Sequence, residues 1–182
     1  MFFLRKPNLE WLPVVMSGVR MGERALQIGV SDPALVGAIA AKVGLSGHAA
    51  LVVDEERQAE KARGAAKKAG ALIDVQLGPL DQLPYADASF DVVVVHAGSS
   101  APALTEPSGN SALREVARVL RDGGRVVVIE GGSRGIMARR RTGDSADPAS
   151  VTEALSTAGF KAARLLADRE GYRFSEGLKT SR

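Results

Sequence analysis

The chain contains no cysteine. Disulfides, zinc–thiolate sites and cysteine nucleophiles are therefore excluded. His48 and His96 are its only histidines, a poor basis for a histidine metal centre, and no metal is expected. Aromatic residues make up 4% of the sequence, so a core must be built from Val, Leu, Ile and Ala. No apolar run approaches the ~20 residues of a membrane-spanning helix. Met1-Phe-Phe-Leu-Arg-Lys-Pro7 begins apolar but lacks the long apolar stretch and small-residue cleavage site of a signal peptide. The expectation is a cytoplasmic protein with no membrane partner.

What is present suffices for a globular core. The 182 residues are 45% hydrophobic and 25% charged, which predicts a single domain over 1–182 with a short helical appendage at 1–20. Net charge is +3, a mild excess. The densest basic cluster runs from Arg134 to Arg141, with Arg139, Arg140 and Arg141 consecutive. No aromatic is interleaved with it, as a nucleic-acid surface would want. It reads as a solvated loop, with an acidic-substrate site as the alternative, and nucleic acid is not expected as a partner.

The pattern alternates strand and helix. Asn8 to Gly18 reads as a short helix broken by Pro13, with Trp11, Leu12, Val15 and Met16 on the sheet. Ala25–Ile28 is a first strand, turning at Gly29. Ser31 or Asp32 can cap the helix that follows, and Pro33 suits its first position. Leu35, Ile39 and Val43 form a stripe at helical spacing, ended by Gly44. Ala49–Val53 is a second strand, apolar throughout as a central parallel strand should be. An alanine-rich helix runs to Gly70, and Leu72–Leu77 is a third strand. Phe90–His96 is a fourth strand, with an unbroken valine run. Residues 97–110 read as loop, followed by a helix face of Leu113, Val116, Ala117 and Leu120. Asp122-Gly-Gly124 reads as a turn and Arg125–Glu130 as a fifth strand. A helix from Asp147 to Gly159 precedes a hairpin of Phe160–Ala167 and Tyr172–Lys179. Such alternation predicts an α/β protein with a mostly parallel sheet and helices on both faces.

Several segments then resemble the class I S-adenosylmethionine-dependent methyltransferases of the type-11 group. They are Met21-Gly-Glu-Arg-Ala-Leu-Gln-Ile-Gly29, Leu83-Pro-Tyr-Ala-Asp-Ala-Ser-Phe-Asp-Val-Val93, Leu113-Arg-Glu-Val-Ala-Arg-Val-Leu-Arg-Asp-Gly-Gly-Arg-Val-Val-Val128 and Ala158-Gly-Phe160. The resemblance runs from about Val19 to the C-terminus. It implies a Rossmann-like methyltransferase fold, a seven-stranded sheet with an antiparallel strand in the C-terminal hairpin. It also implies S-adenosylmethionine as cofactor and a small-molecule substrate.

The motif positions depart from that family's pattern. Where the family carries an acid on strand one, this chain has Gln27. Gly29 keeps the first glycine of the turn, but Ser31 and Pro33 occupy the second and third. The aspartate expected after strand three is replaced within Gly78-Pro79, while Asp54, the acid ending strand two, survives. A side chain at Ser31 would cost roughly 1–2 kcal/mol if its φ were left-handed, and Pro33 offers no N–H. Losing two hydrogen bonds to charged partners would weaken binding roughly a hundred- to ten-thousand-fold. Gln27 can still accept a hydrogen bond, and Leu80 can offer its backbone N–H to adenine.

The candidate cofactor-binding residues are thus Gln27, Gly29, Ser31, Asp54, Leu80 and His96. His96, at the end of strand four, is also the candidate general base, since its ordinary pKa suits that task. Each has a plainer reading. His96 could be satisfied by loop backbone, Asp54 could cap the following helix, and Gly29 could serve only the turn. Two functions follow: a methyltransferase for a small molecule, or a catalytically inactive scaffold that keeps the fold and binds a protein partner. A nicotinamide-dependent reductase is excluded, because no Tyr-x-x-x-Lys pair occurs in the chain.

Overall fold

The computed structural model describes residues 9–97, 107–131 and 148–181. Five helices and seven strands are found among them: α1 (Leu12–Met16), β1 (Arg24–Ile28), α2 (Pro33–Val43), β2 (His48–Val53), α3 (Glu56–Ala69), β3 (Asp74–Leu77), β4 (Phe90–Ala97), α4 (Pro107–Val119), β5 (Leu120–Gly131), α5 (Pro148–Thr157), β6 (Lys161–Arg169) and β7 (Tyr172–Leu178). The strands form one sheet in the order β3-β2-β1-β4-β5-β7-β6. Strands β1 to β5 pair in parallel, and β7 lies antiparallel to both β5 and β6. The chain reverses its strand order between β1 and β4, which is where an open α/β sheet offers a ligand crevice at its carboxyl rim. Arg134–Arg141 lies outside the described residues.

The apolar runs explain the layers. Successive side chains of a strand point to opposite faces, so a strand buried on both must be apolar throughout. Val92 to Val95 are all buried; Val93 and Val95 join α4 and α5 on one face, Val92 and Val94 join α2 on the other. Helix α2 is apolar on more than one side because β1, β2 and α3 all pack on it. Leu35, Ile39 and Val43 face the main sheet, while Val36 meets Leu51, Val53, Ala59 and Ala62. The side chain of Asp32 accepts from the Ala34 N–H at 2.8 Å, and Gly44 ends the helix at φ 71°.

Several details differ from the sequence reading. Val14 is buried in α1 and Val15 is 49% exposed, because Pro13 stands in the first turn of the helix, where proline is tolerated, rather than breaking it. Helix α4 starts at Pro107 rather than after Asn110, proline again fitting a helix start. Strand β3 is shorter than expected, beginning at Asp74. Asp122-Gly-Gly124 lies inside β5, where the ladder with β4 shifts register between the Phe90 and Val92 pairs, as a bulge does.

Ion pairs join the segments that carry the family resemblance to one another. Arg118 of α4 donates to the carbonyls of Leu83 and Tyr85 and to Asp87, and Glu115 accepts from the Leu83 N–H. Asp91 accepts from the Arg24 N–H at 2.7 Å and pairs with Arg121. These contacts fix the loop before β4 and the amino ends of β1, β4 and β5. No helix among the described residues is long and apolar enough to cross a membrane.

Helices α2 and α3 approach closely at Gly37. A Cβ there would sit 2.8 Å from the Ala65 carbonyl oxygen of α3, inside van der Waals contact with backbone that has no easy way to move. Gly37→Val should therefore destabilise the fold by about 2 kcal/mol, as overpacked cores do; urea unfolding of the variant against the parent chain measures it.

Candidate functional site

The carboxyl ends of β1, β2 and β4 bring together most residues singled out in the sequence. Gln27 and His96 occupy the same face of adjacent strands, two positions apart on the diagonal, since Gln27 pairs with Val94 in the ladder. Both are 1% exposed. Gln27 Nε2 donates to the Val36 carbonyl oxygen at 3.1 Å, which turns Gln27 Oε1 toward His96 Nε2 at 2.9 Å. An amide oxygen can only accept, so His96 Nε2 carries the proton and Nδ1 is bare. Ser31 Oγ lies 3.4 Å from that Nδ1 and donates to it. One chain of hydrogen bonds thus runs from the exposed Ser31 through His96 and Gln27 to the backbone of α2.

Burial holds this imidazole neutral. With no carboxylate beside it among the described residues, desolvation pushes the His96 pKa down from 6.5 to about 4. Both ring nitrogens are engaged within the network, leaving neither pointed at a ligand.

The rim around the network is shaped by the turn after β1. Gly29 adopts φ 73°, and its N–H donates to the Val52 carbonyl at 3.0 Å. Ser31 is not among the described residues with positive φ, so the strain considered for it does not arise. Asp32, not Ser31, caps α2. Asp54 is exposed at the end of β2, and the N-cap of α3 is Glu55, which makes no side-chain cap. The competing N-cap role of Asp54 is therefore removed, and among the described residues its carboxylate accepts no hydrogen bond. Leu80 is buried, in the loop after β3, and its N–H donates to none of the described residues. The preceding Gly78 N–H bonds to the Val53 carbonyl at 3.0 Å, tying that loop to β2.

These features fit a nucleoside cofactor. An unengaged carboxylate at the end of β2 suits a pair of ribose hydroxyls, and a free main-chain N–H near β3 suits the edge of a purine ring. A glycine with positive φ at the end of β1 lets backbone approach a ligand. No group of three metal-ligating side chains occurs among the described residues. The sequence pointed to Gln27, Ser31 and His96 one at a time. Their mutual bonding was missed, and so was Glu130, at the end of β5 on the same rim. A lone acid at the end of an apolar strand is the signal that could have found it.

Comparison with known proteins agrees with this architecture. A family model described as a methyltransferase domain matches residues 26–128. The chain is 31% identical over 114 residues to a ubiquinone/menaquinone biosynthesis C-methyltransferase, UbiE, of Chromobacterium violaceum, covering 63% of this chain and 45% of that one. The UbiE of Ectopseudomonas mendocina is 33% identical over 119 residues, covering 64% and 45%. The chain thus spans less than half the length of these relatives. Among solved structures, an S-adenosylmethionine-dependent methyltransferase from Aquifex aeolicus superposes with a TM-score of 0.73 at 16% identity, covering 93% of this chain and 88% of that one.

The buried histidine makes stability depend on pH. The unfolded chain binds a proton near pH 6.5, whereas the folded chain resists it until about pH 4. Stability contributed by the neutral imidazole is therefore full above pH 6.5 and falls as pH drops toward 4. Urea unfolding should show a loss of about 2 kcal/mol between pH 7 and pH 5 from this group. The His96→Gln variant should lose that part of the pH dependence. With its seven-stranded 3-2-1-4-5-7-6 sheet and its match over residues 26–128, the chain belongs to the type-11 family of class I methyltransferases, whose cofactor is S-adenosylmethionine.

Proposed function

We propose that this chain is a methyltransferase that uses S-adenosylmethionine to methylate a small organic molecule. The observation that carries the proposal is Asp54, a carboxylate at the end of β2 that is exposed and engaged by no described residue. A carboxylate at that place can accept hydrogen bonds from the ribose hydroxyls of a nucleoside cofactor, which supports the reading. The small-molecule acceptor is supported by the relatives, which are C-methyltransferases of quinone biosynthesis by name.

When bound, the cofactor supplies an electrophilic methyl group on a sulfonium centre. The chain's own residues bind and orient it. Asp54 accepts the ribose hydroxyls, the Leu80 N–H meets the adenine edge, and Gly29 allows backbone contact. Ser31 contributes through its position. Its hydroxyl is spent on His96, and the bond holds the turn so that the crevice keeps its shape without the further glycines. His96 is a positioning residue in this scheme, because a neutral ring with both nitrogens engaged has no lone pair to offer a substrate. Gln27 belongs with it: an amide satisfies a neutral imidazole without placing a buried charge beside it.

Calorimetric titration with S-adenosylhomocysteine tests the proposal. Binding tighter than ~1 mM is expected, weakened roughly ten- to a hundredfold by Asp54→Ala, the cost of losing a hydrogen bond to a charged group. No heat at millimolar ligand would instead favour a scaffold that keeps the fold without the cofactor.

A further inference from the structure

At the carboxyl rim, beyond the cofactor crevice, four adjacent strands place one residue each on the face that carries α4 and α5. Ala97 of β4 pairs with Glu130 of β5, Glu130 with Arg173 of β7, and Arg173 with Asp168 of β6. Side-chain alternation sets the face: Val126 and Val128 belong to the core under α4 and α5, and Glu130 continues that row. The Glu130 side chain is 20% exposed, and its Oε2 is buried and accepts no hydrogen bond from the described residues.

Arg173 does not fill that need. Its Nη1 stands 4.0 Å from Glu130 Oε2, beyond hydrogen-bond reach, while its Nε turns to Asp168 Oδ2 at 3.3 Å. A carboxylate oxygen taken out of water without a donor costs roughly 1–3 kcal/mol. An ion pair meant only to tie β5 to β7 would close that gap and recover the energy. Burial also raises the Glu130 pKa, Arg173 opposing the shift and Asp168 adding to it.

The nature of the missing donor follows from its neighbours. An ammonium placed on Oε2 would face the Arg173 guanidinium across a few ångströms and be repelled by it. A neutral hydroxyl meets no such penalty: its hydrogen turns to Glu130 and its oxygen lone pairs can face Arg173. We infer that Glu130 is a specificity-determining residue of the acceptor site, receiving the hydrogen bond of a neutral hydroxyl on the substrate. A hydroxyl held by a carboxylate is also richer in electron density, which favours it, or a ring that bears it, as a nucleophile. The inference rests on the methyltransferase reading above, since it is that reading which places an acceptor at this rim.

The test uses phenol, which has the hydroxyl, and anisole, its methylated counterpart, which has none. Affinities are read by ligand-observed NMR with S-adenosylhomocysteine present. The intact chain should bind phenol about tenfold tighter than anisole, the value of one hydrogen bond to a charged group. Glu130→Gln should bring the ratio close to one while leaving S-adenosylhomocysteine affinity unchanged. Should that variant not fold, the intact chain still decides. Its preference for phenol should fade as pH is lowered through the raised Glu130 pKa, and in Asp168→Asn the fade should come at lower pH, because the Asp168 charge is one cause of the rise. Equal affinities for phenol and anisole in the intact chain, or tighter binding of benzylammonium than of phenol, would overturn the assignment of Glu130 alone. Absence of S-adenosylhomocysteine binding by calorimetry would overturn the methyltransferase reading, and this inference with it.

Discussion

The hydrogen bond between Gln27 and His96 is the contact on which the ligand-facing end of this sheet depends. It joins β1 to β4 where the strand order reverses, and through the Val36 carbonyl it joins both to α2. In a region of such low polarity, an unsatisfied amide or imidazole would cost several times what a surface hydrogen bond returns. Every polar atom in the chain of contacts is used, and the outermost member, Ser31, reaches the surface. The turn after β1 is therefore held by side chains as well as by the backbone geometry of Gly29.

The pairing also accounts for the residue types. A carboxylate at position 27 would call for a protonated histidine, and two charges would then lie at the centre of the sheet. Gln27 and a neutral His96 give the same number of hydrogen bonds with no buried charge to stabilise. Around this neutral centre the charges are kept to the edges. Arg118, Glu115 and Asp87 fasten the loop before β4, Arg125 pairs with Glu23, and Asp91 links the amino ends of the strands. The apolar middle sets the strand order, and the polar edges set the loops.

Much of the fold was legible in the sequence. The continuous valine run of β4, the alanine-rich α3 and the helically spaced stripe of Leu35, Ile39 and Val43 are signals that survive without tertiary information. The hairpin of β6 and β7 turns at Glu170-Gly171 as its residues suggest, and Tyr172 and Phe174 lie in the core. The misses were at ends. Proline at Pro13 and Pro107 marks a helix start as readily as a break, and Asp122-Gly-Gly124 suits a bulge as well as a turn. The site was legible residue by residue but not as a network. Gln27 and His96 are 69 positions apart, and only the β1–β4 register makes them diagonal neighbours. Glu130 escaped notice because the need of its Oε2 becomes visible only once Arg173 is placed beside it by an antiparallel strand from the end of the chain.

The central claim is that the rim at β1, β2 and β4 remains a cofactor crevice, held open by the Ser31–His96–Gln27 chain rather than by further glycines. Amide hydrogen exchange with and without S-adenosylmethionine tests it most directly. Slowed exchange is expected, confined to residues 29–36, the end of β2 near Asp54, and the loop around Leu80. Exchange unchanged at saturating cofactor, or protection only at the opposite ends of the strands, would contradict it.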